Sequence, residues 1–283
     1  KYKTLIVGYG HIGQQVETEL DEICPDIADI KFPEYFKRKQ YSEYDAIFIC
    51  VNAPFVPGGS NCDLSDVVSA MKTTASYLKE EGIFVLRTTI LPSMAREIVY
   101  GNYGYRTVFS PVWYGCTIHS DQSRFNFNFT VLGGSYKREC RKAQQIFQQC
   151  HDASHRFFIT TPTTALMAKY MENCWIATKV VFCNQFAKIA NCYDADYNEV
   201  REIFISDPRA NPSHTFVNED TPYYDSHCTN KDIAAFAYST ALISDFMLQI
   251  MYANDKAKQD AALMSSVFDP NADTNVPDPD MPM

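Results

Sequence analysis

Apolar positions along the chain follow two rhythms. Up to about residue 160 they come as short runs closed by Gly, Pro or polar residues: KTLIV (3–7), YDAIFICV (44–51), GIFVLRTTILP (82–92), RTVFSP (106–111) and FTVLGG (129–134). Runs of this length, apolar almost throughout, predict strands buried on both faces. Between them lie stretches with helical spacing: QQVETELDEI (14–23), VVSAMKTTASYLKEE (67–81) and SMAREIVYG (93–101). Alternation of the two predicts an α/β fold with a doubly wound parallel sheet over residues 1–160.

The rhythm then changes. Thr163 to Tyr193 contains neither Pro nor Gly, and Ala, Leu, Met and Phe recur at helical spacing, so one helix of unusual length is predicted. A helix around NEVREIFISD (198–207), a Pro-rich loop (208–224) and one last helix over 233–259 complete a helical domain, 161–264. The tail, 265–283, holds four Asp, four Pro and no Lys or Arg, which predicts an extended or disordered segment unless it docks on a partner. The long apolar helix predicts a homodimer seam.

Composition excludes several functions. A net charge of −9 with no basic run longer than Lys37–Lys39 argues against nucleic-acid binding, which draws on clustered Lys and Arg. No apolar run reaches the roughly 20 residues of a membrane span. The ten cysteines are scattered, without a CxxC pair or zinc-ligand spacing. They are expected to be reduced thiols of a cytoplasmic protein, with no metal site.

The first strand runs straight into GYGHIG, Gly8 to Gly13, ahead of a helix. GxGxxG in that setting is a dinucleotide fingerprint: Gly8 makes the tight turn, Gly10 admits the pyrophosphate and Gly13 lets the helix pack on the strand. His11 and Ile12 open the helix whose N–H groups face the phosphates. An acid about 20 residues on should hold the adenosine ribose. Asp29 in DIADI is the candidate, with Glu34 the alternative, and an acid there favours NAD over NADP. Further on, Lys169 and Asn173 are one helical turn apart, and DSHCTNKD (225–232) sets a thiol, an amine and a carboxylate at a helix entrance.

Six motifs in order, GYGHIG, VNAP, RTTILP, TALMAKYMEN, DPR and HCTNKD, resemble the UDP-glucose/GDP-mannose dehydrogenase family over nearly the whole length. The resemblance implies a Rossmann-type NAD domain, then an all-helical domain with a long central helix. It also implies a four-electron oxidation of a nucleotide sugar, UDP-glucose first, with two NAD reduced per sugar. By position, Cys228 would form the thiohemiacetal and thioester, and Lys169 and Asn173 would stabilise the oxyanion. Asp232 would orient water or lysine, and Thr89 would lie by the nicotinamide. Val51, Asn52, Pro54, Thr88 and Lys231 would line the cofactor site. Ser213 and His214 would contact substrate, and Arg209 would reach that of a neighbouring subunit. A free cysteine titrates near 8.5, so such a thiol needs a cationic or helix-N-terminal setting.

Departures from the family pattern are specific. SPVWYGC (110–116) stands where the family carries two glutamates, with Val112 in place of the first. Asp225-Ser226 replaces a glycine pair before the cysteine, and Leu166 and Gln185 replace two acids. The resemblance runs up to the last long helix, so a short form without the family's second Rossmann-like domain is expected. A two-electron hydroxyacid-type dehydrogenase and a non-catalytic nucleotide-binding module stay open as alternatives.

Overall fold

A computed structural model describes residues 2–31, 43–56, 61–101, 104–113 and 128–267; side chains of 227, 228 and 264–267 are outside that description, as is Glu34. Seven strands form one sheet: β1 (Thr4–Val7), β2 (Asp26–Ala28), β3 (Tyr44–Ile49), β4 (Leu78–Leu86), β5 (Thr107–Phe109), β6 (Phe129–Gly134) and β7 (Arg156–Thr160). Their spatial order is β2-β1-β3-β4-β5-β6-β7. The described helices are α1 (His11–Glu19), α2 (Ser65–Thr74), α3 (Ala95–Val99), α4 (Lys137–Phe147), α5 (Pro162–Cys192), α6 (Tyr197–Ile205), α7 (His227–Thr240) and α8 (Phe246–Val267).

Alternation along the strands fills both faces of the sheet. Leu5, Ile47, Ile49, Phe84, Leu86 and Phe109 face one side, against Val67 and Met71 of α2 and Ala95 and Ile98 of α3. Ile6, Ala46, Phe48, Val85 and Val108 face the other, against Val16 of α1 and Ala143, Ile146 and Phe147 of α4. The sheet is thus doubly wound. The long helix is no separate appendage at its start, because Leu166 and Tyr170 join the core formed by the sheet's first face. Thr161 caps it, its hydroxyl accepting from Thr164 N at 3.2 Å, with Pro162 in the first turn.

Three expectations need correction. The sheet is not wholly parallel: β6 runs antiparallel to β5, pairing Val108 with Gly134 and Phe109 with Gly133. An apolar run carries no record of its direction. The span 135–160, without predicted elements, contains α4 and β7. Its helix is Lys, Arg and Gln outside a narrow buried stripe. The single last helix is two, because Ser244 and Asp245 interrupt the run and begin α8. Ser244 Oγ accepts from Phe246 N (3.4 Å), and Asp245 accepts from Gln249 through both backbone and side chain. Folding back lets Ile233 and Ala237 of α7 pack with Met247 and Met251 of α8 and Ala177 and Val181 of α5.

The glycine loop leaves β1 at the point where the chain has strands on both sides of it, the crevice where open α/β sheets take ligands. Gly8 has φ +91°, and a Cβ there would stand 3.0 Å from the Cys50 carbonyl. A Cβ on Gly13 would stand 2.1 Å from Gly8 O, whereas one on Gly10 meets nothing within 4 Å. Gly13→Ala is therefore expected to cost about 1–3 kcal/mol in denaturant unfolding. Gly10→Ala is expected to change stability by less than about 0.5 kcal/mol while weakening NAD binding in calorimetry. Equal NAD affinity in Gly10→Ala and wild type would contradict this assignment.

Candidate active site

A cavity of about 130 Å³ opens where the sheet's C-terminal edge meets α5 and the start of α7. The β3 end supplies Val51 and Asn52, the β4 end supplies Thr88 and Thr89, and α1 supplies Ile12. From the helical side come Lys169, Glu172 and Asn173 of α5, His214 of the 208–224 loop, and Ser226, Thr229, Lys231 and Asp232. Residues far apart in the chain meet here because the β-strand ends and the two helix faces share one crevice.

A chain of polar contacts joins the three parts. Asp232 is 1% exposed, and its Oδ2 accepts from Asn173 Nδ2 at 2.8 Å. Its Oδ1 lies 3.0 Å from Lys231 Nζ, which donates to Thr89 O at 2.9 Å. Lys169 Nζ contacts the Glu172 carboxylate and lies 5.3 Å from the centre of the Trp113 ring. Thr88 Oγ1 donates to Val51 O at 2.6 Å, fixing the two strand ends against each other.

In the pocket wall itself, Arg87 is 3% exposed and pairs with Glu19 of α1 at 2.6 Å, donating also to Ser110 Oγ at 2.8 Å. That buried pair locks α1 to β4 and the end of β5. Removing one partner of such a pair leaves an uncompensated charge, a cost of about 3–5 kcal/mol.

Cys228 lies in the first turn of α7, and its side chain is outside the described residues. Ser226 caps that helix, its hydroxyl accepting from Thr229 N at 3.2 Å. Asp225 accepts from Lys258 Nζ (2.7 Å) and Asn230 Nδ2 (2.6 Å). These two donors hold the Asp225 carboxyl below its usual range, Lys258 contributing most. The pair that replaces the family glycines thus fastens the entrance of α7. Among the described cysteines, burial pushes the thiols of Cys50 and Cys174 up to about 12 and that of Cys140 to about 11. Such thiols are poor nucleophiles at neutral pH.

The remaining predicted residues divide clearly. Asp29 follows β2, and its carboxylate accepts from Tyr9 N at 2.6 Å in the glycine loop and from Lys31 N at 2.7 Å. It is thereby oriented beside the phosphate turn. His214 is buried at φ +62°, and its Nδ1 lies 2.5 Å from Ser213 Oγ. A non-glycine residue held there is a recurrent mark of a functional site. Pro54 is exposed, and Arg209 lies on the surface paired with Asp207 at 2.6 Å; neither lines the cavity. Glu172, Trp113, Ile176 and Thr229 line it without having been singled out. Only Glu172 had a signal, being three residues from Lys169 on the same helix.

The residues fit NAD. The φ +91° turn at Gly8, the open space over Gly10, the α1 N-terminus and the oriented Asp29 carboxylate are what a dinucleotide needs.

Comparison with known proteins agrees. Residues 14–104 match the NAD binding domain of the UDP-glucose/GDP-mannose dehydrogenase family, and residues 163–259 match its central domain. Among relatives, a UDP-N-acetyl-D-mannosamine dehydrogenase of Methanococcus maripaludis is 26% identical over 201 residues, covering 67% of this chain. A UDP-glucose 6-dehydrogenase of Rickettsia prowazekii is 22% identical over 229 residues, covering 77% of this chain. The chain spans 43% and 51% of those two proteins' own lengths. A solved UDP-glucose dehydrogenase from Pyrobaculum islandicum shares the fold, with a TM-score of 0.71 and 18% identity over 92% of this chain and 68% of that one. The chain belongs to the UDP-glucose/GDP-mannose dehydrogenase family.

Proposed function

We propose that the protein oxidises the primary alcohol of a UDP-sugar to the carboxylate through a covalent adduct on Cys228. The observation that carries this reading is the convergence of Lys169, Asn173, Lys231 and Asp232 beside Thr88, Thr89, Val51 and Asn52 in one cavity. NAD, when bound, supplies the hydride acceptor, two equivalents per sugar. Gly8, Gly10, Gly13, the α1 N-terminus and Asp29 hold it.

Cys228 stands in the first turn of α7, where the helix N-terminus favours a thiolate. That thiolate attacks the sugar aldehyde, and the resulting thiohemiacetal is oxidised to a thioester that water hydrolyses. Donors such as Lys169 Nζ and Asn173 Nδ2 stabilise the oxyanion that each addition creates. Asn173 is aimed by Asp232, so its amide cannot rotate freely. The sequence expectation of UDP-glucose stands beside UDP-N-acetylmannosamine, since enzymes named for each are among the relatives.

Incubation with NAD and each sugar, counting NADH against carboxylate, tests the reading. Two NADH per sugar are expected. Cys228→Ser is expected to lower turnover on the order of a thousandfold or more. One NADH per sugar, with Cys228→Ser still active, would establish a two-electron dehydrogenase instead.

We also propose a homodimer through α5. Met167, Met171, Trp175, Phe182, Phe186, Ile189 and Tyr193 are all exposed. At 100° per residue they fall within an arc of about 100°, opposite the face that builds the site. An apolar stripe running the length of a 31-residue helix is the size of surface that a second copy covers. Sedimentation should give a dimer for the wild type and a monomer for Phe182→Asp combined with Phe186→Asp. A wild-type monomer at micromolar concentration would remove the proposal.

A further inference from the structure

We propose that Glu172 is the proton exit of the active site, taking from Lys169 the protons that each oxidation releases and passing them to solvent. This rests on the dehydrogenase reading above. Each oxidation breaks one C–H bond, whose hydride leaves to the nicotinamide, and one O–H bond, whose proton must go elsewhere. Thioester hydrolysis sheds one more proton. One UDP-sugar alcohol, two NAD and one water therefore give one carboxylate, two NADH and three protons. A closed pocket needs a path for them.

The cavity has two carboxylates among the described residues, Asp232 and Glu172. Asp232 is poorly suited: its side chain is 2% exposed, Oδ2 accepts from Asn173, and Oδ1 lies 3.0 Å from the Lys231 ammonium. Glu172 is differently placed. Its Oε2 meets Lys169 Nζ, and its side chain is 22% exposed where that of Lys169 is 9%. Three residues on along α5, Glu172 sits at the rim of the helix face that buries Lys169 and Asn173. Amine, carboxylate and water thus form a graded path from sealed to open. In each cycle the amine of Lys169 accepts the substrate O–H proton, the Glu172 carboxylate takes it from Nζ, and solvent removes it, so both groups are restored. Trp113, its ring centre 5.3 Å from Lys169 Nζ, offers no acceptor, since its ring contributes only a π face and an N–H donor.

A counter-ion that merely holds Lys169 in place would look alike in the structure, and the two roles separate kinetically. Glu172→Gln keeps the size and the hydrogen-bond acceptor for Lys169 but cannot carry the proton. Its kcat for NADH formation is expected to fall by about tenfold to a hundredfold with KM within about twofold. Formate or acetate added to the assay should restore much of that loss in a saturable way, because a small carboxylate can replace the missing one. Glu172→Asp should retain most of the rate. Thermal unfolding midpoints of all three proteins should agree within about 1 °C. A Glu172→Gln enzyme with wild-type kcat, or one whose loss no small carboxylate restores, would overturn the proposal. A wild type that forms no NADH with any UDP-sugar would overturn the dehydrogenase reading itself, and the proton path with it. An active wild type beside a buffer-insensitive variant would overturn the proton path alone.

Discussion

A carboxylate sealed from water needs partners for its charge, and Asp232 finds them on two helices, one of which carries the link on to the sheet. Asn173 reaches it from the long helix, 59 residues away in the chain. Lys231, its neighbour, carries the contact on to the Thr89 carbonyl at the end of β4. The Rossmann-type sheet, the long helix and the helix that bears Cys228 are therefore held in register by one buried group. Loss of either partner would leave a polar group buried and unsatisfied, and that penalty makes the arrangement specific as well as stable.

The rest of the site depends on that register. Lys169 lies one turn from Asn173, so fixing the amide also fixes where the amine enters the cavity. The first turn of α7 is set by Ser226 as cap and by Asp225 tied to Lys258 of α8. On the cofactor side, the buried Arg87–Glu19 pair and the Thr88–Val51 contact keep α1 and the strand ends from shifting. Substitutions that look disabling against the family pattern thus have local compensation. Where glycines are replaced by Asp225 and Ser226, the new side chains anchor a helix. Where Val112 stands in place of a glutamate, Glu172 offers a carboxylate from another wall of the same pocket.

Much of this was legible in the sequence. Short apolar runs and the glycine spacing gave the strands, the phosphate turn and Asp29, because buried parallel strands and a close backbone approach each leave few residue choices. Lys169, Asn173, Lys231 and Asp232 were readable because helical periodicity and motif order place them. What escaped was set by tertiary contacts. The direction of β6 leaves no trace in FTVLGG, and α4 hides its buried stripe within a charged segment. The break before α8 depended on weighing Ser244-Asp245 against a long apolar run. Glu172, Trp113 and Glu19 read as ordinary surface or core residues until the fold brings their partners to them. Arg209 and Pro54, placed by resemblance, lie away from the cavity in the single chain.

The dependence of the site on Asp232 is open to direct measurement through a double-mutant cycle on unfolding free energy with Asn173→Ala and Asp232→Ala. A coupling energy within the range of about 0.5–3 kcal/mol seen for residues in one buried network is expected. It should be accompanied by a drop in stability for each single variant. Additive effects, with each single substitution costing no more than a surface change, would contradict the claim that this carboxylate holds the parts of the fold together.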